Sequence, residues 1–190
     1  MHVHLREKEP DREWVWREWP GSIPMGQTAE EFIEKMDSCR PKIDRTLVFG
    51  SRSLVSETPE AMTVDNDYVL MVVSAYPRRL VGAGVIDASW GDRAIKELHR
   101  FVEAGLRMVK IRFSSFHYPA NCKAGQRIFS EIEKLGVLPV LHSDWTHFSN
   151  PLVIGDLALM FPRVKVVMQH FGEYLSHDAL SVAKKAPNIY

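Results

Sequence analysis

Short apolar runs and amphipathic stretches take turns along this chain. "RTLVFG" (45–50), "RLVGAGVID" (79–87), "RMVKIRF" (107–113), "VLPVLHSD" (137–144) and "VKVVMQHFG" (164–172) are nearly continuous in apolar residues. That pattern marks strands covered on both faces rather than one. Between them, apolar positions recur at helical spacing in 28–39, 58–77, 89–105, 124–136, 151–162 and 176–187. The boundaries carry their own signals. Thr28 with Glu31 three residues later predicts a capping box. Ser89 with Asp92 predicts a helix start, Gly105 and Gly136 predict stops, and Pro77 closes the second helix. The opening "MHVHL" is a strand candidate, and "REWVWREWPGSIPMG" (12–26) reads as a long loop. Strand and helix alternating through short turns predicts an α/β fold with a parallel sheet.

Composition narrows the function classes. The 190 residues are 45% hydrophobic and 25% charged, enough for a substantial core. Lys+Arg and Asp+Glu are 24 each, so no charge footprint marks nucleic acid or an anionic membrane as partner. No apolar run is long enough to cross a bilayer. The two cysteines, Cys39 and Cys122, are far apart and lack CxxC spacing, which predicts free thiols and a cytoplasmic protein. Length favours one domain. On length alone an open doubly wound sheet fits better than a (β/α)8 barrel of about 250 residues.

The histidines favour the barrel. His2 and His4 sit two apart on one strand, so both project to the same face. His142 and His170 each end an apolar run, at the carboxyl end where parallel α/β folds place reactive groups. Two imidazoles from one strand and a third from another form the nucleus of a zinc-type divalent site. His99, His117, His147 and His177 fall on helices or loops. Nothing resembles GxGxxG or a P-loop, because "GAGVID" lies inside a strand, so an open sheet binding a phosphorylated ligand ranks low.

"MHVH" resembles the His-x-His of the amidohydrolase superfamily. "DNDYVLMVVSAYPRRLVGAGVID", "ELHRFVEAGLRMVKIRF", "LGVLPVLHSD", "FPRVKVVMQHFGE" and "KKAPNIY" resemble its amidohydrolase-related branch, the aminocarboxymuconate-semialdehyde decarboxylase-like enzymes. The resemblance implies a (β/α)8 TIM-type barrel, here as a single domain over 1–190 truncated to about six βα units and incomplete at both ends. It implies a divalent metal, Zn2+ first, with His2, His4 and His142 as ligands and His170 assisting catalysis. An eighth-strand aspartate ligand that the family carries has no counterpart in the sequence. Lys110 matches the position of a bridging lysine in two-metal relatives and is expected unmodified. Trp14, in the aromatic loop, and Lys110, Arg112 and His117 are candidate substrate contacts.

The activity implied is that of a metal-dependent hydrolase acting on a small organic acid, amide or lactone through metal-activated water or substrate. A non-oxidative decarboxylase (a lyase) of the same family is the alternative, and a degenerate, non-catalytic binding or assembly barrel is a third reading. The partner is a small-molecule substrate, with no nucleic acid and no membrane. A homo-oligomer stays open.

Overall fold

The structure, a computed structural model, describes residues 2–5, 27–50 and 58–190. The aromatic loop with Trp14 lies outside them. The chain divides into two compact units, Met1–Val85 and Ile86–Tyr190.

In the first unit, β1 (His2–Leu5), β2 (Thr46–Gly50) and β3 (Leu80–Gly82) form a parallel sheet in the order β1-β2-β3. The register pairs His2 with Leu47 and His4 with Phe49. Helix α1 (Ala29–Ser38) starts as its sequence predicts. The Thr28 hydroxyl accepts from Glu31 N at 3.2 Å, and the Glu31 carboxylate accepts from Thr28 N at 3.0 Å. Two of the four unpaired amides of the first turn are thereby satisfied. Phe32 and Met36 from α1 meet Leu5, Val48, Tyr68, Val72 and Leu80 in a buried cluster. Each such side chain contributes about 1.5–3 kcal/mol by leaving water. Helix α2 (Pro59–Ala75) is capped by Thr58, with Pro59 in its first turn. Its buried Asn66 donates to Val85 O at 3.0 Å and accepts from Val85 N at 2.7 Å.

The second sheet runs β4-β5-β6-β7: β4 (Gly84–Ile86), β5 (Met108–Ile111), β6 (Leu138–His142) and β7 (Val167–Gln169). β5, β6 and β7 are parallel, pairing Lys110 with Val140 and His142 with Gln169. Helices α3 (Asp92–Glu103), α4 (Lys123–Leu135), α5 (Pro151–Met160) and α6 (Ser176–Lys185) alternate with the strands. Residues 188–190 lie beside β7, where Val166 N donates to Asn188 O and Met168 N to Tyr190 O, both at 2.8 Å. Buried Asn188 also donates to the carbonyls of Ala158, Phe161 and Val164, satisfying the end of α5 and the turn after it.

Four boundaries differ from the sequence reading. The run at 79–87 is two short strands either side of Ala83, β3 in one sheet and β4 in the other. Small residues at 82–84 put no side-chain bulk where the chain changes partners. Helix α3 starts at Asp92 rather than Ser89, because Ser89 N and its hydroxyl both donate to Asp87 in a preceding 3-10 turn. Gly91, at φ +55°, then opens the helix. β5 stops at Ile111, and Phe113 begins another 3-10 turn. β7 stops at Gln169, so His170 follows the strand instead of ending it.

Candidate functional site

The first unit contributes His4. Its Nδ1 lies 3.2 Å from Gly50 O, and its ring packs tilted on Phe49 at 5.4 Å. A carbonyl only accepts, so Nδ1 carries the hydrogen and Nε2 holds the lone pair. A metal-ligating imidazole anchored through its other nitrogen shows this arrangement. The backbone of His2 sits in β1; its side chain lies outside the described atoms.

The second unit gathers more. His142 ends β6, and the His170 ring meets it edge-on with centroids 4.6 Å apart. Nε2 of His142 stands 3.3 Å from Oδ2 of Asp144, and both side chains are nearly buried. Oδ1 of Asp144 accepts from Thr146 N at 2.8 Å and from the Thr146 hydroxyl at 2.6 Å. Burial pushes the Asp144 carboxyl up, yet the adjacent His142 imidazole and the hydrogen bonds from Thr146 outweigh it and hold the group well below the usual carboxylate range. Burial also lowers His142; Asp144 offsets part of this, while the charges of Arg112 and Lys110 add to it.

Two cations share this end of the sheet. Lys110 is buried in β5, and desolvation with the neighbouring Arg112 charge pulls its ammonium down to about 7. Arg112 follows β5. Burial lowers it, and the carboxylates of Asp144 and Glu173 pull it back up. Among the described residues, Nε of Arg112 and Oγ of Ser143 find no hydrogen-bond partner. A buried guanidinium donor left open beside lysine and histidine suits an anionic ligand.

His170 is held by an unusual backbone. His170, Phe171, Gly172 and Glu173 have φ of 65°, 51°, 74° and 52°. For the three non-glycine residues this left-handed region costs on the order of 1–3 kcal/mol each, and such strain clusters at functional sites. Gly172 is needed on space as well, since a Cβ there would meet Pro151 Cγ at 2.6 Å.

Of the candidates read from sequence, His142, His170, Lys110 and Arg112 share one sheet end. His117 is exposed, left-handed at φ 58°, and packs against Phe148 at 5.3 Å. Asp144 and Thr146 were missed. The signal was available, because His142 and Asp144 are two apart like His2 and His4. Among the described residues, no three His, Cys, Asp or Glu side chains stand together as a metal site.

A family model described as amidohydrolase matches residues 1–190. The chain belongs to the amidohydrolase family. No curated protein sequence matches this amidohydrolase. Solved structures do. A TIM-barrel protein from Bordetella bronchiseptica superposes with a TM-score of 0.73 at 20% identity, over 86% of this chain and 58% of that one. A 5-carboxyvanillate decarboxylase from Novosphingobium aromaticivorans, complexed with manganese and 4-hydroxy-3-methoxy-5-nitrobenzoic acid, gives 0.65 at 18%, over 85% and 54%. A probable 2-pyrone-4,6-dicarboxylic acid hydrolase from Acinetobacter baumannii, with citric acid bound, gives 0.60 at 18%, over 95% and 64%. These likenesses establish the fold as α/β of the TIM-barrel kind. This amidohydrolase spans roughly three fifths of the length of those structures.

Proposed function

We propose that this amidohydrolase is a metal-dependent enzyme acting on a small carboxylate-bearing molecule. The observation that carries the reading is the grouping of His142, His170, Asp144, Lys110 and Arg112 at the carboxyl ends of β5–β7. Carboxyl ends of parallel strands are where TIM-type barrels do their chemistry. The donor chemistry fits a borderline divalent ion: His4 in the first unit and His142 in the second are both imidazoles at strand ends, each with one nitrogen beside an oxygen acceptor. Zn2+ is the first candidate and Mn2+ the competitor. When bound, such an ion supplies Lewis-acid polarisation of an oxygen at the site.

The chain's own groups account for the remaining steps. Arg112 pairs with the substrate carboxylate through its open Nε. Lys110, at about 7, is near evenly divided between its two forms at neutral pH and suits proton transfer. His170, fixed beside His142 by its strained backbone, delivers or removes a proton at the reacting atom. Hydrolysis and decarboxylation both use these roles. Decarboxylation is favoured by the manganese-bound decarboxylase among the similar structures, and hydrolysis by the dicarboxylic acid hydrolase.

The test is to strip the protein of metal, restore Zn2+ or Mn2+ separately, and screen aromatic and pyrone carboxylic acids. Release of CO2 marks decarboxylation, and acid production without CO2 marks ring-opening hydrolysis. Activity that is unchanged after metal removal would sink the proposal.

A further inference from the structure

We infer that Gln169 is a specificity-determining residue, whose carboxamide oxygen accepts a hydrogen bond from an O–H or N–H group that the ligand carries apart from its carboxylate. The inference rests on the carboxylate-binding reading above and deepens it. Register brings Gln169 to the site. It is the last residue of β7 and pairs with His142, the last residue of β6. Paired residues of neighbouring strands turn their side chains to the same face. Arg112 follows Ile111 as His142 follows Leu141, and Ile111 and Leu141 are themselves paired. Arg112, His142 and Gln169 therefore form one row across the carboxyl ends of β5, β6 and β7.

The Gln169 side chain is buried and its acceptor is open. The residue is 9% exposed, and among the described residues its Oε1 finds no hydrogen-bond partner. An unpaired buried acceptor is costly, and native proteins leave few of them. The backbone at this point is held, because Gln169 O accepts from Ser143 N at 3.1 Å. The open oxygen is thus a fixed feature of the row.

At the other end of the row, Nε of Arg112 is an open donor. The two groups have opposite needs. Nε suits a carboxylate, which only accepts; Oε1 needs a donor, which a carboxylate is not. Two strand spacings, about 9–10 Å, part their backbones. One ligand satisfies both when it carries its anion at one end and a hydroxyl or amine at the other.

The experiment measures Kd by calorimetry for benzoate, 4-hydroxybenzoate, 4-aminobenzoate and 4-methoxybenzoate, the last keeping the oxygen without its hydrogen. Wild type should bind the hydroxy and amino acids about 3–10-fold more tightly than benzoate or the methoxy acid, the worth of one hydrogen bond to a neutral group. Gln169→Met keeps the length of the side chain and removes the acceptor. It should level those affinities, and it should unfold at an unchanged or higher urea midpoint, since no partner in the free protein is lost. Arg112→Met should weaken all four acids alike and keep the preference for the donors. Equal binding of the four acids by wild type, a preference that survives in Gln169→Met, or a clearly lowered midpoint for that variant would each overturn the inference. If wild type takes up none of the acids, the carboxylate reading fails instead, and the midpoints still decide whether the Gln169 acceptor is open.

Discussion

His4 and His142 both lie at the carboxyl ends of parallel strands, one in each unit, yet they are anchored by opposite means. His4 gives its Nδ1 hydrogen to the backbone carbonyl of Gly50, a neutral acceptor supplied by the adjacent strand. His142 turns Nε2 to a carboxylate that a turn holds in place. The first anchor comes with sheet register and brings no charge to be desolvated. The second sits in a field of buried charge from Lys110, Arg112 and Asp144, where removing one member exposes the others. A register-borne anchor should therefore respond to sterics, and a charge-borne anchor to pH and charge.

The largest expected effect tests the charged side. Lys110 has an ordinary value of 10.5 and is pulled to about 7 by burial. Between those values the unfolded chain keeps a proton that the native state sheds, so stability rises with pH across that window. The full swing is about 5 kcal/mol, at about 1.36 kcal/mol per pH unit over the window from about 7 to 10.5. Lys110→Met should be more stable than wild type at and below neutral pH in the metal-free protein, with that advantage fading toward pH 10. Urea midpoints for the two proteins that run parallel with pH would contradict it.

Asp144→Ala comes next. It takes an acceptor from Thr146 and the compensating charge from Arg112 and His142, and should cost about 3 kcal/mol. Chemical denaturation at neutral pH measures this, and a loss under 1 kcal/mol, well short of that estimate, would mean the buried charges are not coupled.

Gly50→Ala probes the neutral anchor. A Cβ at Gly50 would stand 2.5 Å from the buried Asp65 carboxyl, so the helix or the strand must shift, at about 2 kcal/mol. Urea midpoints at neutral pH measure it, and a loss under about 0.5 kcal/mol would mean that the strand and helix yield freely there.

The smallest effect is a surface control in the first unit. Arg79 and Lys42 hold the exposed Asp37 carboxyl below its ordinary value. Its contribution is present above about pH 4 and lost as pH falls through the lowered value. Asp37→Asn should move the urea midpoint only slightly, and not at all in about 1 M salt, where screening reaches about 3 Å.

Much of the fold was legible because its signals are local. The capping box of α1, the glycine stop of α4 at φ +64° and the continuous apolar strands depend on neighbours in sequence. The split at Ala83 was not legible, since "RLVGAGVID" is apolar throughout and partner choice leaves no mark on periodicity. The early end of β7 was hidden for a related reason. His170 and Phe171 are ordinary strand residues by type, yet both take positive φ, next to a Gly172 whose missing Cβ leaves room for Pro151. Strand-end position pointed to His142 and His170, and the family resemblance added Lys110 and the loop residue Arg112; these four share one sheet end. The sequence left the direction of the His117 ring undetermined, because a loop side chain can face either way; the ring packs on Phe148.

By itself the sequence determined the order of elements, the parallel α/β class, the family resemblance and that His142 ends a strand, since hydrophobic period and chain position encode these. Tertiary structure alone decided which nitrogen of His4 meets Gly50 O and which nitrogen of His142 faces Asp144. It also made Asp144 an anchor through Thr146, and it lowered Lys110 toward neutrality. Those properties depend on distance and desolvation between residues far apart in the chain, and neither quantity is written in the order of residues.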